Sequence, residues 1–83
     1  MSYEIDVDLQ AQDDIAALPA RALLTLAEAM TILELTPWNG RPINSANPDG
    51  AVRTLAFGSA GMLTYLVLDD EKRVDVLIVV WAS

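Results

Sequence analysis

Ala51-Val52-Arg53-Thr54-Leu55-Ala56-Phe57, Gly58-Ser59-Ala60-Gly61, Met62-Leu63-Thr64-Tyr65-Leu66-Val67-Leu68, Asp69-Asp70-Glu71-Lys72, Arg73-Val74-Asp75-Val76-Leu77-Ile78-Val79-Val80-Trp81: three apolar runs rich in valine, leucine and aromatic residues alternate with two short connections. Runs of this length between glycine- and acid-bearing turns are strands joined by hairpins, so the last third of the chain reads as an antiparallel β-meander. Closing the hairpins at Ser59-Ala60 and Asp70-Glu71 fixes a register, because residues directly opposite share a face and the side chains then alternate. One face then carries Val52, Thr54, Ala56, Leu63, Tyr65, Val67, Val74, Val76, Ile78 and Val80. It is the more uniformly apolar, and we place it in the core. The other carries Arg53, Leu55, Phe57, Met62, Thr64, Leu66, Leu68, Arg73, Asp75, Leu77, Val79 and Trp81. A one-residue slip in register exchanges the two sets.

Working outward from the meander, residues 37–50 hold three of the four prolines and two glycines and read as a loop, with Trp38 anchoring it to the body. A connection this long in a small domain is often functional. Ala20–Leu35 has helical periodicity, with Leu23, Leu26, Ala27, Met30, Ile32 and Leu33 on a broad apolar face, and Thr36-Pro37 stops it. Ala11–Leu18 reads as a shorter helix broken by Pro19, with Asp13 and Asp14 favourably placed in its first turns. Tyr3–Leu9 alternates strictly, with Tyr3, Ile5, Val7 and Leu9 on one side and Glu4, Asp6 and Asp8 on the other, as in a strand with one solvated acidic face. Residues 1–83 therefore form one α+β domain: an N-terminal strand and a two-helix hairpin packed on the meander.

Two helices cover only one face of such a sheet. The chain has 83 residues, 53 % of them hydrophobic, and a domain this short has little interior in which to place them. The apolar residues of the second face need cover from the 37–50 loop, from a second copy in a homodimer, or from another protein, and we take a protein partner as the expectation. On this register the partner-binding residues are Leu55, Phe57, Leu66, Leu77, Val79 and Trp81.

Cysteine and histidine are both absent, which excludes a disulfide framework, zinc-finger spacing, a thiol nucleophile and the usual near-neutral base. No cofactor and no metal site is expected. The N-terminal residues lack a basic segment followed by an apolar one, and the run from Val76 to Ala82 is too short to span a bilayer, so a soluble cytoplasmic protein with no membrane contact is expected. Twelve acids against five bases give a net charge of −7. Nucleic-acid affinity comes largely from neutralising phosphates, so direct binding of free RNA or DNA is not expected; the balance suits solubility or a basic partner.

The order strand, two helices, long loop and three-strand meander resembles the RelE/ParE superfamily of bacterial toxins. Locally, Tyr3-Glu4-Ile5-Asp6-Val7 is similar to the family's first strand, and Ile15-Ala16-Ala17-Leu18-Pro19 to the ending of its first helix. Leu33-Glu34-Leu35-Thr36-Pro37 followed by Asn39-Gly40 resembles its helix exit. Val52-Arg53-Thr54-Leu55 and Gly61-Met62-Leu63-Thr64-Tyr65-Leu66-Val67 resemble its Arg-x-Leu and Gly-x-x-x-Tyr-x-Val strands. The resemblance implies a toxin-like protein of a type II toxin–antitoxin system. Some members cleave mRNA on the ribosome with basic residues on the open sheet face, others poison DNA gyrase, and a cognate antitoxin wraps and neutralises the toxin.

This chain departs from the pattern where the chemistry lies. Met62, Leu63 and Thr64 stand where the family usually has an arginine, and Trp81-Ala82-Ser83 carries no base where basic residues are common. Cleavage develops negative charge that cations must stabilise, with an acid or base nearby. The residues available for a catalytic role are Arg53 and Arg73, with Arg41 as a possible third. For Arg53 the simpler reading is a cross-sheet pair with Asp75. Tyr65 reads as a packing residue with a polar tip, and Asp69-Asp70-Glu71 as a solvated turn. Glu4, Asp6 and Asp8 read as a solvated strand face, the alternative being a dock for a basic antitoxin tail. The leading expectation is a role in protein binding, to an antitoxin, to itself or to both. A ribosome-dependent endoribonuclease and a gyrase inhibitor are the alternatives.

Overall fold

Which side of each strand is buried depends on two turns and one bulge, seen in the computed structural model, which describes residues 2–82. The first strand, β1 (Glu4–Val7), keeps Glu4 and Asp6 exposed while Tyr3, Ile5 and Val7 turn toward the core, as its alternation requires. The chain turns directly into α1 (Leu9–Ala16). This helix starts two residues before the predicted Ala11, so Asp13 and Asp14 fall past its first turn. Asp14 instead accepts a hydrogen bond from the Val79 backbone N–H at 2.9 Å. Pro19, lacking an N–H that would have no partner there, sits just before α2 (Ala20–Leu35), whose limits match the sequence reading. Its buried stripe is Ala22, Leu26, Ala29 and Leu33, centred on two alanines that let the helix lie close to the sheet. Leu23, Ala27 and Ile32, expected inside, are exposed.

The segment read as loop opens with a single 3₁₀ turn, Pro37–Asn39, and then forms a two-residue strand, β2 (Arg41–Pro42), paired antiparallel with β3 (Val52–Phe57). With β4 (Gly61–Leu68) and β5 (Arg73–Trp81), the sheet has five strands in the order β1-β5-β4-β3-β2, all neighbours antiparallel except β1 and β5. Both helices lie on one face.

The β3–β4 turn has three residues, not two: Phe57 pairs with Gly61, and Gly58 takes the left-handed φ of 59° that glycine adopts without strain. A Cβ on Gly61 would lie 2.5 Å from the Phe57 ring, so the missing side chain is what lets that ring fold across its partner strand. This slip moves Arg53, Leu55 and Phe57 to the helix side and Val52, Thr54 and Ala56 to the open side.

The β4–β5 turn closes as expected, with Leu68 opposite Arg73 and Tyr65 opposite Val76. Thr64 is then opposite Ile78, so Leu77 is an extra residue in a β-bulge. The bulge falls where β1 stops pairing: Asp8 donates its N–H to the Val76 carbonyl (2.9 Å), and beyond that point α1 replaces the neighbouring strand. The Val79 N–H, left without a strand partner, meets Asp14. Past the bulge the faces exchange, so Val79 and Trp81 point into the core and Ile78 and Val80 point out. The interior is Leu26 and Leu33 from α2 against Phe57, Leu63, Tyr65, Val67, Val74, Val76 and Val79 from the sheet.

Candidate protein-binding face

The loop containing β2 is tied down by polar groups that the sheet presents beneath it. Tyr65, fully buried, donates its hydroxyl hydrogen to the Pro37 carbonyl (2.6 Å) and accepts the Gly40 N–H (3.1 Å). Gly40 has no room for a side chain, since a Cβ there would stand 2.1 Å from the Tyr65 oxygen. Burial pushes the Tyr65 hydroxyl pKa up, with the Gly40 N–H and the Arg53 charge acting in the opposite direction. Arg53 is 7 % exposed; its Nε donates to the Gly40 carbonyl (3.1 Å) and its Nη1 to the carbonyls of Pro48 (3.1 Å) and Gly50 (2.9 Å). Its guanidinium also lies 5.3 Å from the centre of the Trp38 ring. Trp38 donates its indole N–H to Asp69 (3.2 Å), and Tyr3 donates its hydroxyl to the same carboxylate oxygen. Tyr65, Arg53 and Trp38 thus hold the loop over the helix-side edge of the sheet, and the loop does not roof the opposite face.

That opposite face is open. Met62 (44 % exposed), Ile78 (45 %), Val80 (52 %) and Ile43 (62 %) lie on it, together with the half-buried Leu66, Leu68 and Val52. Thr54 and Thr64, paired across β3 and β4, lie between them. Glu4, Asp6 and Asp75 occupy one corner, Asp6 directly opposite Asp75 across the parallel β1–β5 pair. Asp6, Asp8 and Asp75 share a shallow depression with Gln12. Arg73 is the cation of this corner: Nε lies 2.9 Å from Asp75 and Nη1 3.3 Å from Glu71. Its hydrogen bond to Asp75, reinforced by Glu71 and Asp6, raises its pKa further above the ordinary arginine value. Arg41 stands exposed at the far edge, on β2 opposite Thr54.

Set against the sequence reading, the expectation of one uncovered sheet face is met, but its membership changes. Phe57 and Val79, expected there, are buried in the core, and Trp81 packs against Phe57 with ring centres 5.8 Å apart and an unpaired buried indole N–H among the described residues. Leu55 is half-buried against the core, and Leu77 is the half-buried bulge residue. Of the six, only Leu66 sits in a regular open-face position. Val52, Thr54, Ala56, Ile78 and Val80, assigned to the core, are the open-face residues that the reading missed. Gly58 followed by Gly61 was the available sign of a longer turn; no sequence feature announced the bulge.

The two candidate catalytic arginines are not brought together. Arg53 is on the helix side with its donors occupied by main-chain carbonyls, so the expected pair with Asp75 does not form; Arg73, on the open face, holds that carboxylate instead. Among the described residues there is no cluster of three or more metal-ligating side chains and no helix long and apolar enough to cross a membrane.

The sequence matches no protein-family model and no curated protein. Solved structures are similar over nearly the whole chain. The RelBE2 toxin–antitoxin complex from Mycobacterium tuberculosis superimposes with a TM-score of 0.83 at 23 % identity, covering 99 % of this chain and 93 % of that one. The intact Escherichia coli RelBE toxin–antitoxin complex gives 0.80 at 19 % identity, covering 98 % of each chain. The archaeal RelE–RelB complex from Pyrococcus horikoshii gives 0.68 at 18 % identity, covering 98 % of this chain and 96 % of that one. The fold is therefore RelE-like.

Proposed function

We propose that this chain is the toxin-like member of a toxin–antitoxin pair and acts through protein contact at its open sheet face. The observation that carries this reading is the character of that face: exposed Met62, Ile78 and Val80 form an apolar surface, Ile43 adds an apolar residue at the β2 edge, and the charged corner is acidic. Apolar surface left in water is unfavourable by roughly 25 cal/mol per Å², and a contiguous exposed patch of this kind marks a binding surface. The similar solved structures include toxins bound to antitoxins, which supports an antitoxin as the covering partner.

Nuclease chemistry is a poorer fit. Arg53 is committed to three carbonyls, Arg73 to Asp75 and Glu71, and the chain has no histidine. A scissile phosphate on the open face would find Arg41 on one edge and acids on the other, so developing negative charge would be opposed as much as stabilised.

Expression of the chain alone and together with the product of a small adjacent reading frame tests the proposal. Complex formation with that product, lost in Ile78→Lys but kept in Arg41→Ala, is the expected result. Growth arrest with mRNA cleavage in a translating extract, abolished by Arg41→Ala, would establish the nuclease reading instead.

A further inference from the structure

The apolar strip and the acidic corner are parts of one surface, and together they specify the chemistry of its occupant. We infer that the open face is built to take a basic amphipathic segment of the partner protein, its apolar side on Met62, Ile78 and Val80 and its cations on Glu4, Asp6 and Asp75. The inference rests on the protein-binding reading above and deepens it by naming the partner's charge.

Charge decides the class. Among the described residues Glu4, Asp6 and Asp8 form no ion pair, and the nearby cations are already held, Arg73 by Asp75 and Glu71 and Lys72 by Asp69. Asp6 and Asp75 face each other as like charges across adjacent strands, and Arg73, bonded to Asp75 and opposite Glu4, offsets only part of that repulsion, since Glu4, Asp6 and Asp75 outnumber it. The site therefore gains most from an occupant that brings positive charge, and an acidic segment would add repulsion to an already negative corner.

Geometry fits a helix. Alternate residues on a strand are roughly 6.6 Å apart, and successive turns of a helix roughly 5.4 Å, so a lysine or arginine once per turn tracks Glu4, Asp6 and Asp8. A helix about 10 Å across covers two strands spaced about 4.8 Å apart, here β4 and β5, so one laid along them meets Met62, Ile78 and Val80 at one end and Leu66, Leu68 and the acids beside them at the other. A second copy of the chain is a worse occupant. It brings another net charge of −7. A twofold that overlays the two corners stacks acids on acids, and one that sets each corner on the other copy's far edge offers only Arg41 there to meet them.

The test uses the full chain, labelled with ¹⁵N, and two synthetic 18-residue helices with the same leucine stripe, one with an all-lysine polar face and one with an all-glutamate polar face. The lysine helix is expected to shift the amides of Asp6, Asp75, Ile78 and Val80 and to lose affinity as salt rises. Glu4→Gln combined with Asp6→Asn is expected to weaken it about fivefold. The two substitutions are on exposed positions, so the folded spectrum should persist. Equal binding of the glutamate helix, shifts confined to Leu24 and Leu35 on the outside of α2, or silence toward both helices would each overturn the inference. So would a concentration-dependent dimer that buries Ile78 without any peptide. None of these outcomes bears on complex formation with the adjacent gene product, so the binding reading and the charge inference fail separately.

Discussion

Leu63 and Met62 are neighbours in β4, yet Leu63 is 0 % exposed under α2 and Met62 is 44 % exposed on the far side. The covered face and the open face of the sheet are drawn from similar residues, so residue type does not separate them. What separates them is neighbours. On the covered side the sheet residues pack under the helices or the 37–50 segment, and Arg53 and Tyr65 have hydrogen-bond partners there. On the open side the same valines, leucines and methionines meet water. The sharpest way to break this contrast is the adjacent pair of truncations. Leu63→Ala should destabilise the fold by about 2–5 kcal/mol, a large share of what a domain this small possesses. Met62→Ala should change stability by less than about 0.5 kcal/mol. Urea denaturation of both reads the difference; comparable losses would mean that the open face is not open in solution.

The second contrast is between two arginines. Arg53 lies on the covered side with three hydrogen bonds to carbonyl oxygens, and Arg73 on the open side with two carboxylates. Arg53→Met removes the donors but keeps most of the volume, leaving the Gly40, Pro48 and Gly50 carbonyls without them. It should cost roughly 2–3 kcal/mol and free the 40–50 segment, visible as faster amide exchange there. Arg53→Lys should recover only part of the loss, because one ammonium cannot reproduce the fork. Arg73→Ala should cost under about 1 kcal/mol, since its pairs are largely exposed and screened. Equal losses would mean that Arg53 is not the clamp.

Tyr65→Phe is the smaller companion of that experiment. It removes one hydroxyl that both donates to Pro37 and accepts from Gly40, and should cost about 1–3 kcal/mol. It also bears on alkaline behaviour. The folded Tyr65 pKa is raised, so its contribution is complete below the unfolded value of 10.0 and is lost as pH rises through the folded one. The wild-type chain should lose stability above pH 10.0 more steeply than Tyr65→Phe.

Much of this architecture was legible before any coordinates. Periodicity placed α2 and β5 to the residue, because proline stops and polar turns are local signals. The solvated acids of β1 and the anchoring role of Trp38 also followed from pattern alone. What failed was register. The length of the β3–β4 turn decides which side of Arg53 and Phe57 is wet, and Gly58-Ser59-Ala60-Gly61 fits a two-residue turn as well as a three-residue one. Only the Phe57 ring lying over Gly61 decides it, and that is a contact between strands. The bulge at Leu77 answers to another non-local fact, namely that β1 ends opposite Val76 and hands the Val79 N–H to Asp14. A face that is apolar on both sides gives alternation nothing to choose between, which is why the open face was foreseen and its residues were not.

The mildest effect should come at the junction where the covered side meets solvent. The Asp69 carboxylate holds Tyr3 at the chain's start, Trp38 in the loop and, more loosely, Lys72 at 3.9 Å. The Tyr3 hydroxyl first, then the Trp38 indole and the Lys72 charge, lower its pKa below the usual 3.8. A depressed carboxylate contributes stability that is complete above the unfolded value and is lost as pH falls through the folded one. Below pH 3.8 the wild-type chain should therefore lose stability while Asp69→Asn, already neutral there, should not show that component. Because the group is exposed the change should be small, and Trp38 fluorescence should report it before global unfolding does. If the two proteins follow the same acid titration, the carboxylate is not what joins the strand, the loop and the turn, and Arg53 and Tyr65 hold the covered edge without it.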